Sequence, residues 1–284
     1  MSTPKSCCQP ARVGSEPKPH HAEDVTSARN ATSTQQAQEV TFTPELVHIS
    51  GGDFLMGSTD PSFPDDHEGP VRQVEVDSFW ISPFSVTNAD FQQFITATDY
   101  VTEAERFGWS YVFYMFLPTG HPPTQALQGL EWWRQVYGAT WDHPEGPTST
   151  IHDRLDHPAV HISWNDANAF CEWAGVRLLT EVEWEYAARG GLEQKRYPWG
   201  DRLVPNKQHK CNIWQGTFPS KNTCKDGYVG TAPVTSYDAN GYGLYNMSGN
   251  VWEWCQDLWD TSEIPVQHLS FHRQHVVKGG SYLC

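Results

Sequence analysis

The last third of the chain limits the fold more than any other feature. After Arg189-Gly190-Gly191 no apolar repeat of helical length occurs up to residue 284. Pieces such as YPWGD, CNIWQGTFPS, DGYVGTAPV and DANGYGLYNMSGNVWEWCQDLW interleave aromatic residues with Gly, Pro, Asn and Asp. Such punctuation ends regular elements after a few residues, so this part is expected to consist of short strands and loops. Irregular backbone leaves amides and carbonyls to be satisfied, and ordering it costs entropy. Aromatic side chains with a polar tip offset part of this, and the chain holds 13 Trp, 11 Tyr and 13 Phe. Bound calcium is a second device, since it takes carbonyl and carboxylate oxygens from flexible loops.

Helix signals are confined to the earlier part. In SVTNADFQQFITAT, Thr87 and Asp90 form a capping-box pattern ahead of Ala89, Phe91, Phe94 and Ile95, which predicts a helix of about ten residues. In WNDANAFCEWAGVRLLTEVEWEYAARGG, Asn165 or Ser163 can cap a helix carrying Ala167, Phe170, Cys171 and Ala174 and stopped by Gly175. Thr180 and Glu183 open another helix, through Trp184, Ala187 and Ala188, that ends at Gly190-Gly191. Upstream, TFTPELVHISGGDFLMGS reads as strand, Gly-Gly turn, strand, and VRQVEVDSFWIS as strand segments broken by a short turn. Residues 99–160 show little periodicity, and so long an irregular segment is expected to form a binding surface. Residues 1–42, rich in Ser, Thr, Pro, Gln and Ala, are expected to be a disordered tail before one domain over 43–284.

A net charge of -15 argues against nucleic acid as a partner and suits divalent cations or a basic peptide. No apolar run reaches the roughly eighteen residues of a membrane span. The N-terminal stretch has no apolar signal region, so the expectation is a cytoplasmic protein, or one of the endoplasmic reticulum lumen if the true N-terminus differs. Seven Cys, at 7, 8, 171, 211, 224, 255 and 284, form no regular disulfide framework. Asn30 and Asn246 head N-x-Ser/Thr triplets, read as chance matches without a signal. His143, His152, His157 and His161 cluster, but without HExxH spacing and with Pro144 and Pro158 marking turns, so zinc is not expected. Asn212 and Asp226 carry side-chain oxygens in adjacent loops, and Asn246 and Glu253 flank a turn at Ser248-Gly249-Asn250. Neither pair has EF-hand spacing, and local Asx turns explain them as well as calcium does.

Taken in order, GGDFLMGS, SVTNADFQQF, WNDANAFCEWAGVRLLTEVEWEYAARGG, PWG, ANGYGLYNMSGNVWEW and VVKGGSYLC resemble the formylglycine-generating enzyme family, also called sulfatase-modifying factors. The middle segments TDYVTEAERFGWSYVF, WDHPEGPTSTIHDRLDHPAVHISWNDA and NIWQGTFPSKNTCKDGYVGTAPV are similar to the enzymes themselves and not only to the wider superfamily. The resemblance implies an α+β, C-type-lectin-like fold poor in regular secondary structure, with calcium-braced loops. It implies a monomeric enzyme that oxidises a cysteine in the CxPxR motif of an unfolded sulfatase to Cα-formylglycine, using dioxygen and copper. One calcium would take the side chains of Asn212 and Asp226 with the carbonyls of Ile213 and Tyr228. The other would take Asn246 and Glu253 with the carbonyls of Gly249 and Val251.

By the same resemblance Cys284 is the first of two active-site cysteines, Ser281 the active-site serine, and Trp252 a residue lining the site. Copper(I) is soft and prefers thiolates, so Cys284 is also the expected copper ligand. The family's second cysteine follows four positions later. The expectation is therefore that 43–284 is C-terminally incomplete and that this chain is a poor or inactive catalyst. Cys171 stands where secreted relatives place a disulfide cysteine, and Ala188 stands at another such position. The alternative reading is a noncatalytic paralogue that binds sulfatases or other peptides. A purely structural calcium lectin-like module and an iron-dependent sulfoxide synthase fit less well, the latter because residues 1–40 cannot hold its iron-binding helical domain.

Overall fold

Short bursts of β-branched and aromatic residues between glycine turns form the first strands. The computed structural model describes residues 42–259 and 274–284, so the tail expected over 1–42 lies, except for Phe42, outside the described residues. Strands β1 (Val47–Ile49), β2 (Gly52–Met56), β3 (Arg72–Val76) and β4 (Phe79–Ile81) follow in order. The turn at Gly51 separates β1 from β2 without making them a hairpin: β1 pairs antiparallel with β4, and β2 with β3. Gly51 has no room for a side chain, because the Val76 carbonyl of β3 fills that space.

Four helices carry complete capping boxes. They are α1 (Asn88–Thr98), α2 (Glu103–Phe107), α3 (Trp164–Ala174) and α4 (Glu181–Arg189), with N-caps Thr87, Thr102, Ser163 and Thr180. Left-handed Gly108, Gly175 and Gly190 end the last three, where glycine carries no steric penalty. Asp166, fully buried, completes the α3 cap and also accepts from the Tyr100 hydroxyl and the Glu103 amide, both at 3.0 Å. It thus ties the start of α2 to the start of α3. Burial and the neighbouring Asp166 charge push the Tyr100 phenol up to about 12.

The segment expected to be irregular contains α2 and a three-stranded antiparallel sheet. Its order is β5 (Trp109–Phe113), β7 (Leu130–Tyr137), β6 (Ala126–Leu127). After Arg189 the described residues hold no α-helix, only one 3-10 turn, the small β8 (Gly216–Thr217) and β9 (Lys221–Asn222) pair, and β10 (Glu253–Leu258) paired with β11 (His275–Lys278).

Three apolar clusters organise these elements. Ile49, Val76, Phe79, Trp184, Leu244 and Val276 join α4 to the early strands and to β10–β11. Phe91, Phe94, Trp141 and Phe170 fill the space between α1 and α3, and Phe42 stacks on Trp173 at its edge. Each fully buried Phe stabilises by roughly 1.5–3 kcal/mol. Phe113, Trp214 and Leu283 form the third cluster, which anchors the end of the chain. On β11 the His275 ring lies flat on Trp164, with centroids 3.8 Å apart. Lys278, also on β11, bridges Glu181 at 3.2 Å and Glu185 at 3.3 Å, and Glu185 in turn pairs with Arg189 at 2.7 Å.

Candidate functional site

β11 feeds directly into a tight turn. Gly279 and Gly280 have φ of 94° and 77°, in the region open to glycine, and they swing the chain so that Cys284 reaches the surface while Ser281 is buried. The Cys284 amide donates back to the Ser281 carbonyl at 3.0 Å and closes the turn. Ser281 Oγ accepts from the Leu283 amide at 3.2 Å and lies 3.5 Å from Cys284 Sγ. Leu283 is locked in the aromatic cluster around Trp214, and Tyr282 packs on Phe116. Burial, and next the Glu145 carboxylate, push the Tyr282 phenol up; Arg154 opposes them.

Cys284, Ser281 and Trp252, read from the sequence as one site, all line a single cleft of about 2730 Å³. Its wall also carries Asn88, Glu145, Arg154, His157 and Thr231. Arg154 and Glu145 form a bidentate pair at 2.8 and 2.9 Å, so neither brings a bare charge to the cleft. The Trp252 indole N–H is buried and has no acceptor.

Three of the four clustered histidines serve turns. His143 Nδ1 meets the Ser149 carbonyl, His157 Nδ1 meets Thr231 Oγ1, and His161 spans Ser110 Oγ and the Pro144 carbonyl. Among the described residues no group of three or more His, Cys, Asp or Glu is placed to hold a metal.

Calcium sites built from amides and carbonyls are a different case. In the first set, the Asp226 carboxylate accepts from the amides of Ile213 (3.0 Å) and Tyr228 (3.3 Å), which draws three of the four named residues together. Asn212 is 1 % exposed and precedes Ile213. Burial and then the Asp226 charge push the Cys211 thiol up to about 12 and also raise the Tyr237 phenol. In the second set, Asn246 Oδ1 is buried without a partner, while its amide nitrogen donates to the Val234 carbonyl. Glu253 accepts from Ser85 Oγ at 2.9 Å and from the Trp184 indole at 2.7 Å, and burial pushes its carboxyl up against those two bonds. The loop that supplies Ser85 also takes the Tyr245 amide on its Pro83 carbonyl, so both ends of the set meet one strip of backbone. Neither Asp226 nor Glu253 forms an ion pair with a described cationic side chain. An oxygen-rich setting, one orphaned acceptor and two carboxylates lacking a counter-cation fit a hard divalent ion.

Copper fits less well. A low-coordinate copper(I) ion takes at least two soft ligands, and Cys284 is the one sulfur in the turn. Cys171, Cys211 and Cys255 are buried within the body. The described residues alone do not make up a copper donor set.

Three residues that no local sequence signal marks belong to this region. Ser85 and Trp184 fix Glu253. Asn250, which reads as part of a glycine turn, is 0 % exposed and bonded to Asn212 and Ala232.

The chain is similar to known proteins over most of its length. Residues 31–284 match the family described as sulfatase-modifying factor enzyme 1-like domain. The formylglycine-generating enzyme of Thermomonospora curvata is 53% identical over 250 residues, which cover 84% of this chain and 82% of that protein. The inactive C-alpha-formylglycine-generating enzyme 2 of Mus musculus is 49% identical over 213 residues, covering 74% and 68%. Among solved structures, PvdO from Pseudomonas aeruginosa aligns over 84% of this chain and 82% of its own, with a TM-score of 0.53 and 25% identity.

Proposed function

Because this chain belongs to the sulfatase-modifying factor family, we propose that it acts on sulfatase polypeptides and oxidises the cysteine of a CxPxR segment to Cα-formylglycine with dioxygen. In this reading it works as a monomer in the cytoplasm, on sulfatase chains before they fold. The observation that carries the proposal is the Cys284 thiol, 3.5 Å from the Ser281 hydroxyl, on a cleft that Trp252 also lines.

The chain's own residues suit such a reaction. A cleft of about 2730 Å³ has volume for a peptide segment, whose cysteine would sit beside Cys284. The Leu283 amide occupies a lone pair of Ser281 Oγ, which leaves the hydroxyl proton to donate to an ionised sulfur and favours the thiolate. Trp252 supplies an apolar wall that keeps water from the reacting carbon. Converting –CH2–SH to an aldehyde removes two electrons and two protons, takes an oxygen atom from water and releases hydrogen sulfide; dioxygen accepts the two electrons and protons as hydrogen peroxide, or goes on to two waters when two molecules of a thiol reductant, becoming a disulfide, supply the second pair. Copper, when bound, would supply the one-electron chemistry that dioxygen needs. Cys284 would be one of its ligands. Two calcium ions would be held by Asn212, Ile213, Asp226 and Tyr228, and by Asn246, Gly249, Val251 and Glu253, and would stiffen the loops beneath the thiol turn.

The test combines two measurements on a CxPxR peptide incubated in air with copper and a thiol reductant. Disulfide trapping at Cys284, in a parallel incubation without the reductant, reports binding, and peptide mass reports aldehyde. Aldehyde that forms with the native chain and disappears with Cys284→Ser supports the oxidase. Trapping without aldehyde under every condition selects a second reading, a noncatalytic peptide-binding paralogue. What supports that second reading is the 49% identity to the mouse protein named inactive.

A further inference from the structure

We infer that Asn250, which neither the thiol site nor the calcium sets include, is a positioning residue for Cys284. The inference rests on the reading of Cys284 as the reactive group, and its evidence is the way the thiol turn is suspended.

Three main-chain bonds from other segments hold the turn. The Gly249 amide donates to the Gly279 carbonyl at 2.8 Å, the Tyr282 amide to the Asn250 carbonyl at 3.0 Å, and the Trp214 amide to the Cys284 carbonyl at 3.1 Å. Two of these come from the loop of residues 249–250 and the third from the loop that follows Asn212. Asn250 joins the two loops. Its amide donates to the Asn212 carbonyl at 2.8 Å, and its Oδ1 accepts from Asn212 Nδ2 at 3.1 Å. It also engages a third segment, accepting from the Ala232 amide at 2.8 Å and donating to the Ala232 carbonyl at 3.1 Å.

Its backbone is equally specific. With φ of 65° Asn250 occupies the left-handed region, which Asn tolerates better than most side chains. This conformation lets its side chain face Asn212 and Ala232 while its carbonyl meets Tyr282. The approach is close enough that a side chain at Gly249 would strike the Asn212 carbonyl and come within 3.0 Å of Ile213 Cγ2. The side-chain amide of Asn250 therefore fixes the meeting point of both loops, and the carbonyl on the same residue carries that position to the thiol.

Asn240 offers a matched control. It makes a similar set of bonds, donating to the carbonyls of Ala187 and Ala188 and accepting from the amides of Tyr242 and Leu244, and none of them reaches the thiol turn.

The experiment measures the rate at which iodoacetamide alkylates Cys284, followed by peptide mass at one fixed pH, alongside the melting temperature. Asn250→Gly keeps the left-handed backbone but loses all three side-chain bonds, and the Cys284 rate should shift about fivefold as the turn no longer holds the exposed thiol beside Ser281. Asn240→Ala should lower the melting temperature comparably while leaving the Cys284 rate within about twofold of the native value. Equal changes in the two variants, or no change in either, would overturn the inference. If Asn250→Gly does not fold, Asn250→Asp serves: it keeps the two accepted bonds, a smaller shift in the rate is expected, and an unchanged rate refutes the role. Alkylation involves no sulfatase, dioxygen or metal, so a failed aldehyde assay and a failed alkylation assay are separate results.

Discussion

Residues 88–189 and residues 190–284 are held by different forces. The first region contains four helices with side-chain caps, and its interior is mainly hydrocarbon, with Phe91 and Phe94 1 % exposed and Phe170 5 % exposed beside a few buried polar side chains such as Asn88 and Asp166. The second contains no α-helix among its described residues, and its interior positions include Asn212 and Asn250, at 1 % and 0 % exposed. There the side chains of Asn212, Asp226, Asn240, Asn246 and Asn250 bond to backbone from remote segments. Apolar packing is strong but indifferent to direction, whereas hydrogen bonds are directional and costly to leave unmade. The first region accordingly supplies bulk stability, and the second supplies position.

The largest test of this contrast is Phe91→Ala, expected to cost about 3–5 kcal/mol in a denaturant titration, because the cavity lies against Phe94, Trp141 and Phe170. Asn212→Ala should follow at about 1–3 kcal/mol, since it removes the side-chain donor to the Gly230 carbonyl and one of the two donors to Asn250 Oδ1. A cost well under 1 kcal/mol would mean that the aromatics, and not the amides, hold the loops. Calcium sharpens the contrast further. Calcium at a hundredfold excess over its dissociation constant should stabilise by about 2.7 kcal/mol, read as a raised melting temperature. Asp226→Asn should remove much of that rise; an unchanged rise would separate the ion from this loop.

The smallest expected effect concerns pH. Burial alone would raise the Glu185 carboxyl, but Lys278, the Gly57 amide and Arg189 outweigh it and hold it below the usual carboxylate value. Its contribution is therefore present above that usual value and is lost as pH falls through the lowered one. The Lys278 ammonium faces Glu181 and Glu185, which hold it above its ordinary range despite burial, so its contribution is lost only on the alkaline side. Glu185→Gln should flatten the acid limb of the stability curve and leave the neutral plateau more even. A limb of unchanged slope would assign acid unfolding to other carboxylates.

Much of the helical region is legible in the sequence because caps are local. Thr87 with Asp90, Ser163 with Asp166, and Thr180 with Glu183 lie three residues apart, and Gly175 and Gly190 mark two of the ends. Thr102 and Glu105 form an equally complete box, but the helix they open has five residues and no apolar stripe to announce it. β5 is hidden for the opposite reason. In WSYVF nearly every residue is apolar or aromatic, and the alternation that reveals a half-buried strand is weak. The thiol site is legible only as a family pattern. Nothing local links Trp252 to Ser281 and Cys284, which share a cleft because β10 pairs with β11. The role of Asn250 stays out of sight because all its partners are distant along the chain.

The stack of His275 on Trp164 also has an optical consequence. A protonated imidazole quenches the emission of an indole it touches, and these two rings are 3.8 Å apart and within 14° of parallel. The strand that leads into the thiol turn thus carries its own fluorescent reporter, whose brightness should change when β11 lifts from α3, before the rest of the molecule melts.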